Sequence, residues 1–181
     1  MTAVEDLDTI WREYRADSIG PGSVVVDLGA SEGYFTNWAR ARGAMVDAYD
    51  ARHGAAVGPY DGVCTVKGDG VHAYTVPGEG TTPMVALSSI LARHDRVDFL
   101  KCDIEGGEYQ IFDCDLSKVR RLAIEFHAWA TPDAPVEGLM LRDEPMPPGA
   151  FDTLVRQLQR THDIEIVGDP AAGGYIHGVL R

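Results

Sequence analysis

The chain is short of cysteine and of positive charge. Its three cysteines, Cys64, Cys102 and Cys114, contain no CxxC pair and no metal-finger spacing. This argues against a disulfide framework or a zinc module, and reads as thiols of a reducing compartment. Lysine and arginine number 16 against 28 acids, a formal net charge of −12. The mean field therefore repels polyanions, so nucleic acid and anionic membrane surfaces are poor partners unless a basic patch overrides it. The densest basic stretch, Lys118, Arg120 and Arg121, lies among acids. No apolar run approaches membrane-spanning length, and the N-terminus carries acids where a secretion signal needs positive charge. A cytoplasmic protein is expected. At 181 residues, with no internal repeat, residues 1–181 are expected to form a single domain.

What is present is an alternation of strand-like and helix-like stretches. Apolar residues at Val4, Leu7, Ile10, Trp11 and Tyr14 recur at helical spacing, so residues 1–20 read as an N-terminal helix packed on the main body. Residues 23–28 form a continuous apolar, β-branched run, as in a strand covered on both faces. A helix is predicted over 31–42, with Tyr34, Phe35, Trp38 and Ala39 on one side and Gly43 at its end. A strand at 44–50 completes a strand–helix–strand unit. Further strands are predicted in "GVCTVKGDG", "HAYTV", "VDFLKCDI", "RRLAIEFHAW", "DIEIVGD" and "YIHGVLR". Helices are predicted at 83–93, in the middle of "EGGEYQIFDCDLSK", and across Phe151, Leu154, Val155 and Leu158. The alternation predicts an α/β layered sheet.

Residues 24–40, "VVVDLGASEGYFTNWAR", join an acid-tipped strand to a helix through glycines spaced GxxxG. A dinucleotide turn, GxGxxG, brings the backbone close to a pyrophosphate. Here one close-approach glycine is missing, and Glu32 would set negative charge beside any phosphate, which counts against a nicotinamide-dependent oxidoreductase. Asp50 ends the second strand about 20 residues after the first glycine, where ribose hydroxyls are gripped in such sheets. A ligand with a ribose and an amino-acid tail but no phosphate is S-adenosylmethionine. Gly29, Ala30, Ser31, Gly33, Asp50 and Asp103 are its candidate contacts, with Asp27 toward the ammonium end and Asp69 toward the adenine, unless Asp69 only belongs to an ordinary turn. An ordinary tight turn accounts for the glycines equally well when they are taken alone.

At these residues the chain resembles a known family. "VVVDLGASEGYFT" looks like the cofactor loop of class I S-adenosylmethionine-dependent methyltransferases, "DFLKCDIEGGEYQIF" is similar to the segment around the fourth strand of the FkbM type, and "LAIEFHAW" to the strand after it. Lys101, Asp103, Glu105, Gly106 and Glu108 fall in the family's order, while Ser31 stands where asparagine is common. The resemblance implies a Rossmann-like, mostly parallel sheet of seven strands with helices on both faces and an antiparallel last strand. It also implies methyl transfer, usually to a hydroxyl of a sugar or natural product.

Transfer from a sulfonium needs an aligned nucleophile and, for an alcohol, a group that takes its proton. Ligands of open α/β sheets lie beyond the carboxyl ends of the strands, so Asp103 and Glu105, and Glu125 and His127, are the candidate catalytic residues. Each pair, two apart, shares a strand face. Glu105 can instead accept hydrogen bonds from nearby amides, and His127 can be a hydrogen-bonded core residue. Lys101 reads as a partner for an acid. Asp103, Glu125 and His127 are also the set for a divalent ion, if one is used, although neither spacing nor ligand types are diagnostic. His53, His72, His94, His162 and His177 have no sequence neighbours that mark them for chemistry. The long segment 131–149, "TPDAPVEGLMLRDEPMPPG", reads as a lid or binding loop, in which Leu139, Met140 and Leu141 either cover an apolar acceptor or pack on the sheet. The expected activity is O-methylation of a small molecule, sugar or glycan. The rivals are a non-catalytic cofactor-binding module that regulates a partner and, less in keeping with the charge, a nucleic-acid methyltransferase.

Overall fold

The computed structural model describes residues 11–50, 62–63, 65–67, 84–104, 107–127 and 148–181. Seven strands form one sheet: β1 (Val24–Leu28), β2 (Met45–Asp50), β3 (Gly62–Val63), β6 (Phe99–Cys102), β7 (Arg121–Phe126), β8 (His162–Asp169) and β9 (Gly173–Leu180). Their order across the sheet is β3-β2-β1-β6-β7-β9-β8. The pairings from β3 to β7 are parallel, and β9 runs antiparallel to both β7 and β8. The seven strands and the reversed last strand match the architecture implied by the resemblance.

The central strands are apolar because both faces are covered. Val26 and Leu28 of β1 join a core with Leu100, Cys102, Phe112, Leu154 and Leu158, while Val25 faces a second core with Phe35, Ala39 and Phe99. This alternation follows from the two-residue period of a strand. Residues 11–13 end a helix, and its described part covers the second core. Trp11 stacks on Trp38 at 5.1 Å between ring centroids, and Tyr14 meets Phe35 edge-on at 5.9 Å. Cys102 is fully buried, and burial pushes its thiol well above the ordinary range.

Several sequence expectations need correction. The helix expected from residue 31 spans Tyr34–Ala41, because Ser31 and Gly33 take left-handed backbone angles (φ 49° and 80°) that end the preceding turn first. Tyr34 is exposed rather than on the core side. The "GVCTVKGDG" stretch supplies β3 and then β4 (Thr65–Lys67), which leaves the main sheet to pair with β5 (Met84–Ala86) in a separate two-stranded sheet. The helix expected over 83–93 is therefore β5 followed by a short helix, Leu87–Leu91. Between β6 and β7 the expected helix is a single 3-10 turn, Glu108–Gln110. The C-terminal helix is Ala150–Leu158. The "HAYTV" strand and nearly all of the 131–149 loop lie outside the described residues, as do Cys64, His53 and His72. Among the described residues no helix is long and apolar enough to cross a membrane.

Candidate active site

The strand order reverses direction of connection between β1 and β6: β1 leads outward to β2 and β3, and β6 leads to β7 and beyond. Such a switch point leaves a crevice at the carboxyl ends of the strands, where ligands of open α/β sheets bind. Gly29 and Asp103 sit at this point, directly after β1 and β6. Gly29 is left-handed (φ 78°), and a Cβ placed on it would come within 1.6 Å of the Asp103 carbonyl oxygen. Glycine is needed here for its backbone angle and for its contact with the next strand.

The turn is fixed on both sides. Gly29 and Ala30 donate their amides to the Tyr49 carbonyl at 2.9 and 3.0 Å, and Ser31 donates its amide to Asp50 Oδ2 at 2.7 Å. Gly33 donates to the Ala30 carbonyl at 2.7 Å and stands at the N-cap of the following helix. Gly29, Ala30, Ser31, Gly33 and Asp50 thus come together as one cradle. Behind it, the Tyr49 hydroxyl donates to Asp47 Oδ2 at 2.9 Å, which also faces His94 Nε2 at 3.0 Å. His94 is here a packing partner.

Asp27 lies beneath the turn. Its carboxylate is fully buried, accepts the Thr36 hydroxyl at 2.6 Å, and stands 3.3 Å from Lys101 Nζ. Lys101 donates to the Gly29 carbonyl at 2.6 Å. Burial alone would lower the lysine, but the charges of Asp27 and Asp103 outweigh it and raise it, so it stays protonated. Within the protein, the partners of the Asp27 carboxylate are Thr36 and Lys101. Through Lys101, Asp27 is linked to the Gly29 carbonyl and so braces the glycine turn. Asp69 lies outside the described residues.

Across the crevice, Asp103, Glu125 and His127 converge. His127 Nε2 is 3.7 Å from Asp103 Oδ1 and 3.9 Å from Glu125 Oε1. Its Nδ1 is 3.1 Å from Glu108 Oε1, a carboxylate with no solvent exposure that also accepts the Ile104 amide at 3.0 Å. A carboxylate can only accept, so Nδ1 carries a proton and Nε2 is the ring nitrogen turned toward Asp103 and Glu125. The Tyr109 hydroxyl donates to the His127 carbonyl at 2.8 Å, fixing the backbone as well. Glu125 is raised by burial and by Asp103, against the opposing pull of the Tyr14 hydrogen bond, His127 and Lys101.

Two residues of the site were not expected from the sequence. Glu108, part of the quoted motif, shows its role only where β7 brings His127 beside it. Tyr14, counted only among core apolar positions, lies with its hydroxyl 2.7 Å from Glu125 Oε2 and 3.2 Å from Asp103 Oδ2. Burial and those two charges push its phenol far above the ordinary range, so it acts as a donor. Glu105 lies outside the described residues. As to a divalent ion, among the described residues no group of three or more His, Cys, Asp or Glu side chains is arranged to hold one. Asp103 and Glu125 share the Tyr14 hydroxyl instead.

An acid-tipped central strand, a glycine turn pinned to an acid at the end of the next strand, and a reversed last strand define the class I methyltransferase architecture. The Methyltransferase FkbM domain model matches residues 27–156, and the chain belongs to that family of S-adenosylmethionine-dependent methyltransferases. No curated protein matches it. Among solved structures it is similar to monomeric WbdD, with a TM-score of 0.50 and 12% identity over 99% of this chain and 42% of that one. It is also similar to magnesium protoporphyrin IX methyltransferase from Synechocystis PCC 6803 with bound SAM (TM-score 0.48, 12% identity, 98% of this chain and 79% of that one). A third is a SAM-dependent methyltransferase from Aquifex aeolicus (TM-score 0.40, 11% identity, 100% of each chain). The chain spans less than half the length of WbdD, and at these identities the likeness concerns the fold.

Asp50 gives the first prediction. Asp50→Ala removes a charged acceptor from the Ser31 amide and from the turn. Charged hydrogen bonds contribute about 1.5–3 kcal/mol each, so S-adenosylhomocysteine affinity should fall at least about tenfold by calorimetric titration. Unchanged affinity would show that the cradle is not the cofactor site.

Proposed function

We propose that the chain transfers the methyl group of S-adenosylmethionine to a hydroxyl of a small molecule, sugar or glycan, in the cytoplasm, with His127 as the base. The observation that carries this reading is the His127–Glu108 pair: a buried carboxylate fixes the imidazole so that Nε2 points into the crevice. The cofactor supplies an electrophilic methyl on a positively charged sulfur. Held by Gly29, Ala30, Ser31, Gly33 and Asp50, the cofactor would give up that methyl to the acceptor oxygen and keep the electron pair of the broken carbon–sulfur bond on sulfur. Nε2 takes the hydroxyl proton, and Glu108, Asp103 and Glu125 stabilise the imidazolium that forms. Asp103 and Glu125, 26% and 30% exposed at their side chains, can accept hydrogen bonds from neighbouring hydroxyls of the acceptor.

The test is transfer of radiolabelled methyl to a panel of sugars and hydroxylated small molecules, with and without magnesium. General bases contribute typically 10²–10⁴-fold, so His127→Ala should lower kcat by about 10²-fold or more with S-adenosylhomocysteine affinity within about twofold. A variant as active as the parent would remove His127 from the mechanism. Cofactor binding without turnover on any acceptor would favour the regulatory module. Affinity for RNA that falls steeply with salt, together with methylation of that RNA, would favour a nucleic-acid acceptor.

A further inference from the structure

The N-terminal segment reaches the site by an unusual route. Arg15 holds a left-handed backbone (φ 52°), a conformation that costs a non-glycine residue stability and persists only where its surroundings impose it. It stands just after the end of the N-terminal helix, and exposed contacts beside it tie the segment to the far strands: Arg15 pairs with Glu165 of β8 through two bonds of 2.7 and 2.8 Å, and the Tyr175 hydroxyl of β9 donates to Glu13 Oε2 at 3.0 Å. Tyr14, between these two anchors, is turned inward and buried in the second core. Its ring packs edge-on against Tyr175 at 5.6 Å, and Lys101 Nζ lies 5.7 Å from the ring centre. Its hydroxyl meets Glu125 and Asp103. One side chain thus touches the lysine that supports the Gly29 turn and both partly exposed carboxylates beside it.

We infer that Tyr14, delivered by the clasp of residues 13–15, is a positioning residue that holds Asp103 and Glu125 toward the cofactor's sulfonium, so that the site prefers the charged cofactor to its neutral product. The carboxyl ends of β1 and β6 meet at Gly29 and Asp103, so a cofactor held by the glycine cradle brings its sulfur to the side where these carboxylates lie. Two carboxylates close together repel each other, and a shared hydroxyl keeps both in place. The charges facing Glu125 are Lys101 from β6, Asp103 just after it and His127 just after β7, with the phenols of Tyr14 and Tyr175 from the N-terminal segment and β9. Before transfer the sulfur is cationic and is attracted by this set; afterwards it is neutral, and the attraction is gone. The inference concerns the cofactor side and holds whatever the acceptor is.

The experiment is calorimetric titration of the full chain with S-adenosylmethionine and, separately, S-adenosylhomocysteine. Three variants are compared with the parent: Tyr14→Phe, Glu165→Ala, and the two combined. Phenylalanine keeps the ring contacts and removes only the hydroxyl. In Tyr14→Phe, S-adenosylmethionine affinity should fall by roughly fivefold to tenfold, the scale of one charge-assisted hydrogen bond, with S-adenosylhomocysteine affinity within about twofold. Glu165→Ala should move the same ratio in the same direction by less, and the double variant should equal Tyr14→Phe alone, because both changes act through one group. Equal loss for both ligands, no change in the ratio, or tighter S-adenosylmethionine binding would each overturn the inference. A parent chain that binds neither ligand would overturn the cofactor site and this inference with it, an outcome distinct from failure of the variants alone.

Discussion

Gly29→Ala is expected to unfold the protein or leave it without a cofactor site. Its added Cβ would stand 1.6 Å from the Asp103 carbonyl oxygen, and that atom is backbone at the end of a central strand. No rotamer change relieves such an overlap; β1 and β6 would have to separate where Asp27 pairs with Lys101. The left-handed angle alone costs about 1–2 kcal/mol, and the clash should take the total beyond about 4 kcal/mol, the range reserved for severe core lesions. Gly22→Ala is the control, since Gly22 has nearly the same angle (φ 76°) with nothing within 4 Å of its added Cβ. Urea unfolding of the two variants separates backbone strain from contact. If Gly29→Ala loses no more stability than Gly22→Ala, the close approach of turn and strand is wrong.

Lys101→Met should cost about 3–5 kcal/mol, the usual consequence of leaving one member of a buried ion pair uncompensated. Asp27 would remain fully buried with Thr36 as its donor but without its cation, and the Gly29 carbonyl would lose the Lys101 hydrogen bond. The penalty comes from the stranded charge more than from the lost attraction, so neutralising the partner should reverse much of it. The double variant Asp27→Asn, Lys101→Met keeps an acceptor for Thr36 and should recover more than half of the loss in urea unfolding. Recovery below a few tenths of a kcal/mol would show that Lys101 acts mainly through the Gly29 carbonyl and its packing on Tyr14.

Much of the sheet was legible because its determinants are local. The apolar, β-branched run before Asp27, the acid at Asp50 and the alternating hairpin at the C-terminus each announce a strand within a few residues. The cradle was legible for the same reason: GxxxG and Asp50 are spaced by one strand–helix–strand unit. The helix expected between β6 and β7 failed because Tyr109, Ile111 and Phe112 are apolar at close spacing but are buried by a turn that packs on the Ala150–Leu158 helix. The strand at β4 is legible, but its departure to pair with β5, where a helix is expected, leaves no local pattern. Tyr14 illustrates the limit for the site. Its helical spacing with Trp11 speaks for the core, where its ring does pack, while its hydroxyl serves carboxylates 89 and 111 positions away. Glu108 was visible as part of a motif, but only the returning β7 puts His127 beside it.

The Asp27–Lys101 pair also bears on how the chain finds its native alignment. These residues are direct partners in the β1–β6 register, and the strands come from segments separated by most of the first half of the chain. Parallel pairing at such range is slow to nucleate, and two apolar strands offer several alignments of similar energy. A slip of one residue would turn every side chain to the opposite face, setting Asp27 and Lys101 on opposite sides of the sheet, each buried without its counterion. The pair therefore acts as a register pin that penalises misaligned intermediates. Replacing both residues by apolar ones should leave a chain that collapses readily and sorts its central strands less faithfully, with refolding that turns multiphasic in stopped-flow fluorescence.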